Sequence, residues 1–188
     1  MSAKTAWKKW LIDQSDLQDL HDKLKEHGKK IVFTAGSWDL LHVGQCRYLQ
    51  EAKDAGDILV VGVSSNAAIK KVKGPNKPIL DEKIRAEMLT YLKSVDFVTV
   101  LPEPSCQPTL GLLKPDVFIT VKEDWTEEYK TSKEYKTVNK YGGKVVVVDR
   151  QSTALSTTAI VQRAIGGQLG DVFKDFMNLR KEPLKEKR

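Results

Sequence analysis

Lys30-Ile31-Val32-Phe33-Thr34-Ala35-Gly36-Ser37-Trp38-Asp39-Leu40-Leu41-His42-Val43-Gly44-Gln45 changes character twice within sixteen residues. It opens as a short β-rich run, passes through Ala35-Gly36 into a loop, and ends where His42 and Gln45 stand three apart, on one face at a helix N-terminus. Gly36 lets backbone approach a ligand closely, and Gly44 does the same beside His42. Free N–H groups and the positive end of the helix dipole favour a phosphate at such a place. The stretch contains neither GxxxxGK[ST] nor GxGxxG, so it is a strand–loop–helix unit of another kind.

The rest of the chain repeats that unit. Runs at 58–64, 97–101, 117–121 and 145–148 are continuous in apolar character rather than alternating, as parallel strands buried on both faces are. Helical composition fills 46–55, 81–94, 108–113, 126–141 and 157–165. The alternation implies βαβ units and an α/β fold: a Rossmann-like, parallel five-stranded sheet with helices on both faces. Leu17, Leu20 and Leu24 recur at helical spacing and Gly28 is a stop, which gives a helical N-terminal arm over 1–28. The α/β domain is expected over 29–166, and a helical, charged extension over 167–188. Ligands bind at the carboxyl ends of strands in such sheets, which directs attention to the loops 35–45, 122–129 and 149–158.

Composition narrows the function. With 188 residues, 40% hydrophobic and 30% charged, the chain has material for one core, and its apolar runs are far too short to cross a membrane. The N-terminus lacks the apolar region of a signal peptide, and Cys46 and Cys106 make neither a disulfide framework nor a zinc motif, so a reducing cytoplasm is expected. Thirty-one basic against 25 acidic residues suit anionic partners, part of the excess lying in the tail Arg180–Arg188. No RRM, KH, helix-turn-helix or aromatic–basic signature points to specific nucleic-acid binding. His21, His27 and His42 are the only histidines.

Gly36-Ser37-Trp38-Asp39-Leu40-Leu41-His42-Val43-Gly44 resembles the signature of the cytidylyltransferase-like nucleotidyltransferases, in which a Gly-Cys-Phe-Asp or Gly-Thr-Phe-Asp run is followed by two apolar residues and His-x-Gly-His. Lys29 to Thr34, Val63-Ser64-Ser65-Asn66, the basic run Lys70 to Pro75, Asn76-Lys77-Pro78-Ile79, Arg85 with Leu89, Val95-Asp96 and Leu113-Lys114-Pro115-Asp116-Val117 are similar to the adenylyltransferase domain of bacterial heptose-phosphate enzymes. So is Leu155-Ser156-Thr157-Thr158-Ala159-Ile160. The resemblance runs in order from about residue 15 to 166.

It implies transfer of AMP from ATP to a phosphorylated sugar with release of pyrophosphate. Nucleotide contacts would come from Thr34, Ala35, Gly36, Ser37, Trp38, Asp39, His42, Gln45, Arg85, Asp124, Ser156, Thr157 and Thr158. His42 and Gln45 would stabilise the transition state, and Lys73 would neutralise phosphate charge. Lys73, Trp125 and Arg150 would meet the acceptor, and Asp39 would help to hold the Mg²⁺ of the nucleotide. Each residue also has a plainer reading: Asp39 as a turn or cap residue, Arg85 paired with Glu82 or Glu87, Trp125 covering the sheet edge, Ser156 or Thr157 as a helix cap. Members commonly pair as homodimers, which an apolar face on the N-terminal helix would suit.

Gln45 stands where the family has its second histidine, Ala35 where asparagine is usual, and Val121-Lys122-Glu123 where glycines normally sit. Two alternatives follow. Asp124-Trp125 and Arg150 resemble cytidylyl-transferring relatives that use CTP with glycerol 3-phosphate or a phospho-alcohol. Gln45 instead suits a nucleotide-binding homologue without catalysis.

Overall fold

Five strands, β1 (Ile31–Gly36), β2 (Ile58–Ser64), β3 (Phe97–Leu101), β4 (Val117–Val121) and β5 (Lys144–Val148), stand in the order β3-β2-β1-β4-β5, and every neighbouring pair is parallel. This is a computed structural model, and it describes residues 3–122, 127–149 and 156–179. The helices are α1 (Leu17–Glu26), α2 (Val43–Asp54), α3 (Asn66–Lys73), α4 (Glu82–Thr90), α5 (Gln107–Leu113), α6 (Lys133–Lys140) and α7 (Thr157–Leu179). Two units divide the chain, Met1–Gln151 with the whole sheet and Ser152–Arg188 with α7.

Successive residues of a strand point to opposite faces, and the core follows that alternation. Val32, Leu59, Val61, Val63, Val98 and Ile119 pack one face against Tyr48, Leu49 and Ala52 of α2 and Ala86 and Leu89 of α4. Ile31, Phe33, Val60, Leu101 and Phe118 pack the other against Leu17 of α1, Leu110 and Leu113 of α5, and Val138 of α6. A fully buried aliphatic side chain contributes about 1.5–3 kcal/mol. Seven residues are too few to hold a helix by propensity, so α5 stands on this burial.

One amino-acid choice recurs at the amino edge of the sheet. Asp57, Asp96 and Asp116 each sit one residue before their strand, and each carboxylate accepts a backbone N–H from the neighbouring strand: Lys30, Leu59 and Ile31 respectively, all at 2.7 Å. Lys53 pairs with Asp96 at 2.5 Å and Lys25 with Asp116 at 2.5 Å. Burial alone would raise the Asp116 carboxyl, but the bonds from Lys25 and the Ile31 N–H outweigh it and hold it below its ordinary value.

The N-terminal arm is part of the sheet's edge. Leu11 bridges to Val98 in parallel sense, and the Ile12 N–H bonds the Val98 carbonyl at 2.8 Å. Gln14 then donates to Thr99 Oγ1 and the Val100 carbonyl and accepts from Thr109. This covers the open edge of β3, which would otherwise present unpaired backbone groups. Leu17, Leu20 and Leu24 belong to the second core layer, so the apolar face expected to suit a second copy is used within the chain.

Among the boundaries that differ from the sequence expectation, three have a local cause or consequence. The basic run 70–75 begins inside a helix, α3, capped by Ser65, whose Oγ accepts the Ala68 N–H at 3.1 Å. The helix expected over 126–141 is a 3₁₀ turn, Glu127–Thr131, followed by α6, because Ser132 starts a new helix by accepting the Tyr135 N–H. The last helix continues to Leu179, so the expected boundary between 166 and 167 falls inside α7.

Candidate functional site

Strand order reverses between β1 and β4, and the carboxyl ends of these two strands are where a ligand crevice opens in this type of sheet. β1 delivers the chain there at Gly36, and α2 leaves from His42.

Between them the chain turns sharply at Trp38, whose φ of 50° is in the left-handed region. A bulky residue in that region costs about 1–3 kcal/mol and persists only when its surroundings fix it. Here they do. The indole N–H donates to the Gly62 carbonyl at 2.9 Å, and the ring stacks on Tyr48 with centroids 6.1 Å apart. The Trp38 ring also lies over Gly36, where a Cβ would come within 3.0 Å of Cε2. Trp38 is 5% exposed and belongs to the core. The side chain is spent on shaping the loop. Thr34 joins the same cluster. Its side chain is fully buried and lies 2.7 Å from the Tyr48 hydroxyl, which itself donates to the Ile119 carbonyl at 3.0 Å, so Thr34 is the donor.

Asp39 turns inward. Its Oδ1 accepts the N–H groups of Ile79 and Leu80, each at 2.9 Å, and its Oδ2 lies 3.0 Å from the Ile79 N–H. The residue is 4% exposed, and its carboxylate is engaged in anchoring the segment between α3 and α4.

Arg85 is fully buried, and its guanidinium fork spans three segments. Nε donates to the Leu80 carbonyl at 2.9 Å, Nη1 to the Ser37 carbonyl and Nη2 to Asn66 Oδ1 at 2.9 Å. Burial lowers its pKa, and the negative charges of Asp39, Glu82 and Asp81 pull it back. An arginine stays charged through such shifts. Arg85 thus serves as a hub that ties the first loop, α3 and the 74–81 segment together. Asn66, which the sequence reading did not single out as a site residue, completes the hub: its backbone N–H donates to Glu82, and its side-chain amide to Asp81 at 2.7 Å.

Ala35, Gly36, Ser37, His42 and Gln45 lie along the end of β1 and the start of α2, and Lys73 joins them from the end of α3. Ser37, His42 and Gln45 are half-buried, while Lys73 is exposed. Lys73, the last residue of α3, brings Nζ to 3.3 Å from the Ser37 hydroxyl. His42 is the N-cap of α2, in extended backbone at φ −137°. Gln45, at the third helical position, accepts the His42 N–H on Oε1 at 3.1 Å, as in a capping box. The Gln45 and Cys46 N–H groups return to the His42 carbonyl at 2.9 and 3.1 Å, closing the first turn of α2, whose amino end carries the positive end of the helix dipole beside a histidine, an amide and a lysine.

Asp124, Trp125 and Arg150 lie outside the described residues. Ser156, Thr157 and Thr158 belong to the second unit, where Ser156 caps α7 by accepting the Ala159 N–H at 3.1 Å. Among the described residues no group of three or more His, Cys, Asp or Glu side chains is placed to hold a metal, and no helix is long and apolar enough to cross a membrane.

A family model described as cytidylyltransferase-like matches residues 33–163. The bifunctional protein HldE of Syntrophotalea carbinolica is 38% identical over 152 residues, covering 81% of this chain and 30% of that protein. HldE of Geobacter metallireducens is 40% identical over 141 residues, covering 75% and 28%. The chain thus spans less than a third of the length of these relatives. In the crystal structure of a lipopolysaccharide core biosynthesis protein from Thermoplasma volcanium, 30% identity accompanies a TM-score of 0.57, over 65% of this chain and 98% of that one.

Proposed function

The chain belongs to the cytidylyltransferase-like family, and from that membership we propose that it transfers AMP from ATP to a phosphorylated sugar, within the nucleotidyl transfer common to the family. A phosphate oxygen of the acceptor attacks the α-phosphorus. The new P–O bond forms as the bond from that phosphorus to the bridging oxygen breaks, and pyrophosphate leaves with the electron pair. Such a reaction asks for positioning and charge neutralisation rather than a covalent nucleophile.

The observation that carries the reading is the contact from Lys73 to Ser37, which gathers a flexible cation to the loop that opens α2. On this reading His42 and the amino end of α2 take the triphosphate, and Lys73 neutralises charge on it or on the acceptor. Preference for ATP and a sugar phosphate rests on the likeness, over residues 29–117, to the adenylyltransferase domain of heptose-phosphate enzymes. A homodimer in the cytoplasm goes with the same likeness.

Mg²⁺ keeps several waters and is carried largely by substrate phosphates. The Asp39 carboxylate, taken up by backbone amides, does not fit the role of its ligand, and no step here is routed through the ion.

The test is pyrophosphate release in the presence of Mg²⁺, with ATP and CTP each offered against a panel of sugar and polyol phosphates. Release with ATP and a sugar phosphate is expected. Release with CTP alone would transfer the reading to the cytidylyl branch, and triphosphate binding without release for any acceptor would mark a binding protein.

A further inference from the structure

Two buried charged residues, Asp39 and Arg85, bond the same short segment of backbone. Leu80 gives its N–H to Asp39 and its carbonyl to Arg85, so the peptide groups on both sides of its Cα are held. Ser37, two residues before Asp39, is held twice as well: its carbonyl takes Arg85 Nη1 and its hydroxyl takes Lys73 Nζ. Arg85 also holds Asn66 at the start of α3, the helix that ends in Lys73. Loop 37–42, helix α3 and the 74–81 segment are therefore fastened to one another at both ends of α3.

We propose that Asp39 and Arg85 are positioning residues that act through Lys73: they take no phosphate themselves, but clip the α3–α4 segment to the first loop so that the Lys73 ammonium is held at Ser37. Fixing a long, flexible side chain by fixing the ends of its helix lowers the ordering that ligand binding must otherwise impose. A fork is needed for this, because the guanidinium uses three separate nitrogens to reach acceptors on three segments, a span that the single nitrogen of a lysine cannot cover. The inference rests on the nucleotidyl-transfer reading and gives the α3–α4 segment a part in it.

A double-mutant cycle tests it. Asp39→Asn, Lys73→Ala and the double variant are compared for binding of ATP, CTP and pyrophosphate, with thermal melting followed in parallel. Coupled residues show interaction energies that separated, independent ones do not, so Asp39→Asn is expected to weaken triphosphate binding by about tenfold in the parent and by less than about twofold once Lys73 is absent. Asn66→Ala withdraws one anchor of Arg85 from a half-buried helix position and is expected to act in the same direction with less loss of stability, which keeps the test open should Asp39→Asn fail to fold. Equal losses in both backgrounds would overturn the proposal, since Asp39 would then act independently of Lys73. A parent that binds none of the three probes would instead overturn the functional reading on which the proposal rests.

Discussion

Gln45 Oε1 lies 3.1 Å from the His42 backbone nitrogen, which decides which way the Gln45 amide faces. A backbone N–H only donates, so the oxygen must turn toward it. The amide nitrogen then faces away as a pure donor and makes no bond among the described residues. A residue chosen in place of a histidine thus caps α2 and still offers N–H groups. Gln45→Glu separates the two jobs. Glutamate caps equally well and suits a helix N-terminus, so melting at neutral pH is expected at or above the parent's temperature. Its carboxylate offers no donor, and loss of a transition-state donor lowers rate by about 10²–10³-fold. Pyrophosphate release that survives in this variant would leave Gln45 as a cap alone.

The ion pair of Lys25 with Asp116 gives an acid limb of known sign. The Asp116 carboxyl is held below its ordinary value of 3.8. A depressed folded-state pKa contributes stability that is present above the unfolded-state value and is lost as pH falls through the folded-state one. Urea midpoints measured from pH 6 down to pH 2 should therefore fall more steeply for the parent than for Asp116→Asn. That variant keeps an acceptor for the Ile31 N–H and gives up the charge. Lines that stay parallel across the range would remove Asp116 from the acid transition.

Cysteine accessibility should divide cleanly. Burial, with Glu134 nearby, pushes the Cys106 thiol up to about 12, and the residue is 8% exposed. Cys46, in the first turns of α2, is half-buried. Since the thiolate is the reactive form, native labelling at pH 8 is expected to modify Cys46 first and Cys106 only on unfolding. Mass mapping of the labelled peptides reads this directly.

Gly36 has no room for a side chain. A Cβ there would meet Trp38 Cε2 at 3.0 Å and Cζ2 at 3.2 Å, and the ring is fixed by Gly62 and Tyr48. Gly36→Ala is expected to cost about 1–3 kcal/mol as overpacking. Displacement of the indole would shift its emission and loosen the loop that leads to His42. Denaturant unfolding and tryptophan fluorescence together check it, and unchanged values in both would show that the loop has slack.

The strands were legible because burial on both faces leaves an apolar run that no loop imitates: residues 58–64, 97–101 and 117–121 match β2, β3 and β4 end for end. The helix α3 was not, since four basic or polar residues among its eight mask its pattern and only Ala68 and Ile69 are buried. Within the site, the residues whose partners lie close in sequence were readable, such as His42 with Gln45. The hub partners of Arg85 were not readable, because Ser37 is 48 positions away and an arginine's burial is decided by the fold, not by its neighbours. The same holds for Trp38, whose partner Gly62 is 24 positions on.

The aspartates that precede β2, β3 and β4 all act at one edge of the sheet, each binding a strand to the next before either has begun its ladder. Register is thereby fixed at the amino edge of the sheet, opposite the candidate site. At the opposite end, length and composition of the loops are free to change without the strands slipping past one another. A chain built this way can exchange the loops at that end for those of a relative and keep its scaffold, so loop grafting there is a practical route to changing what it binds.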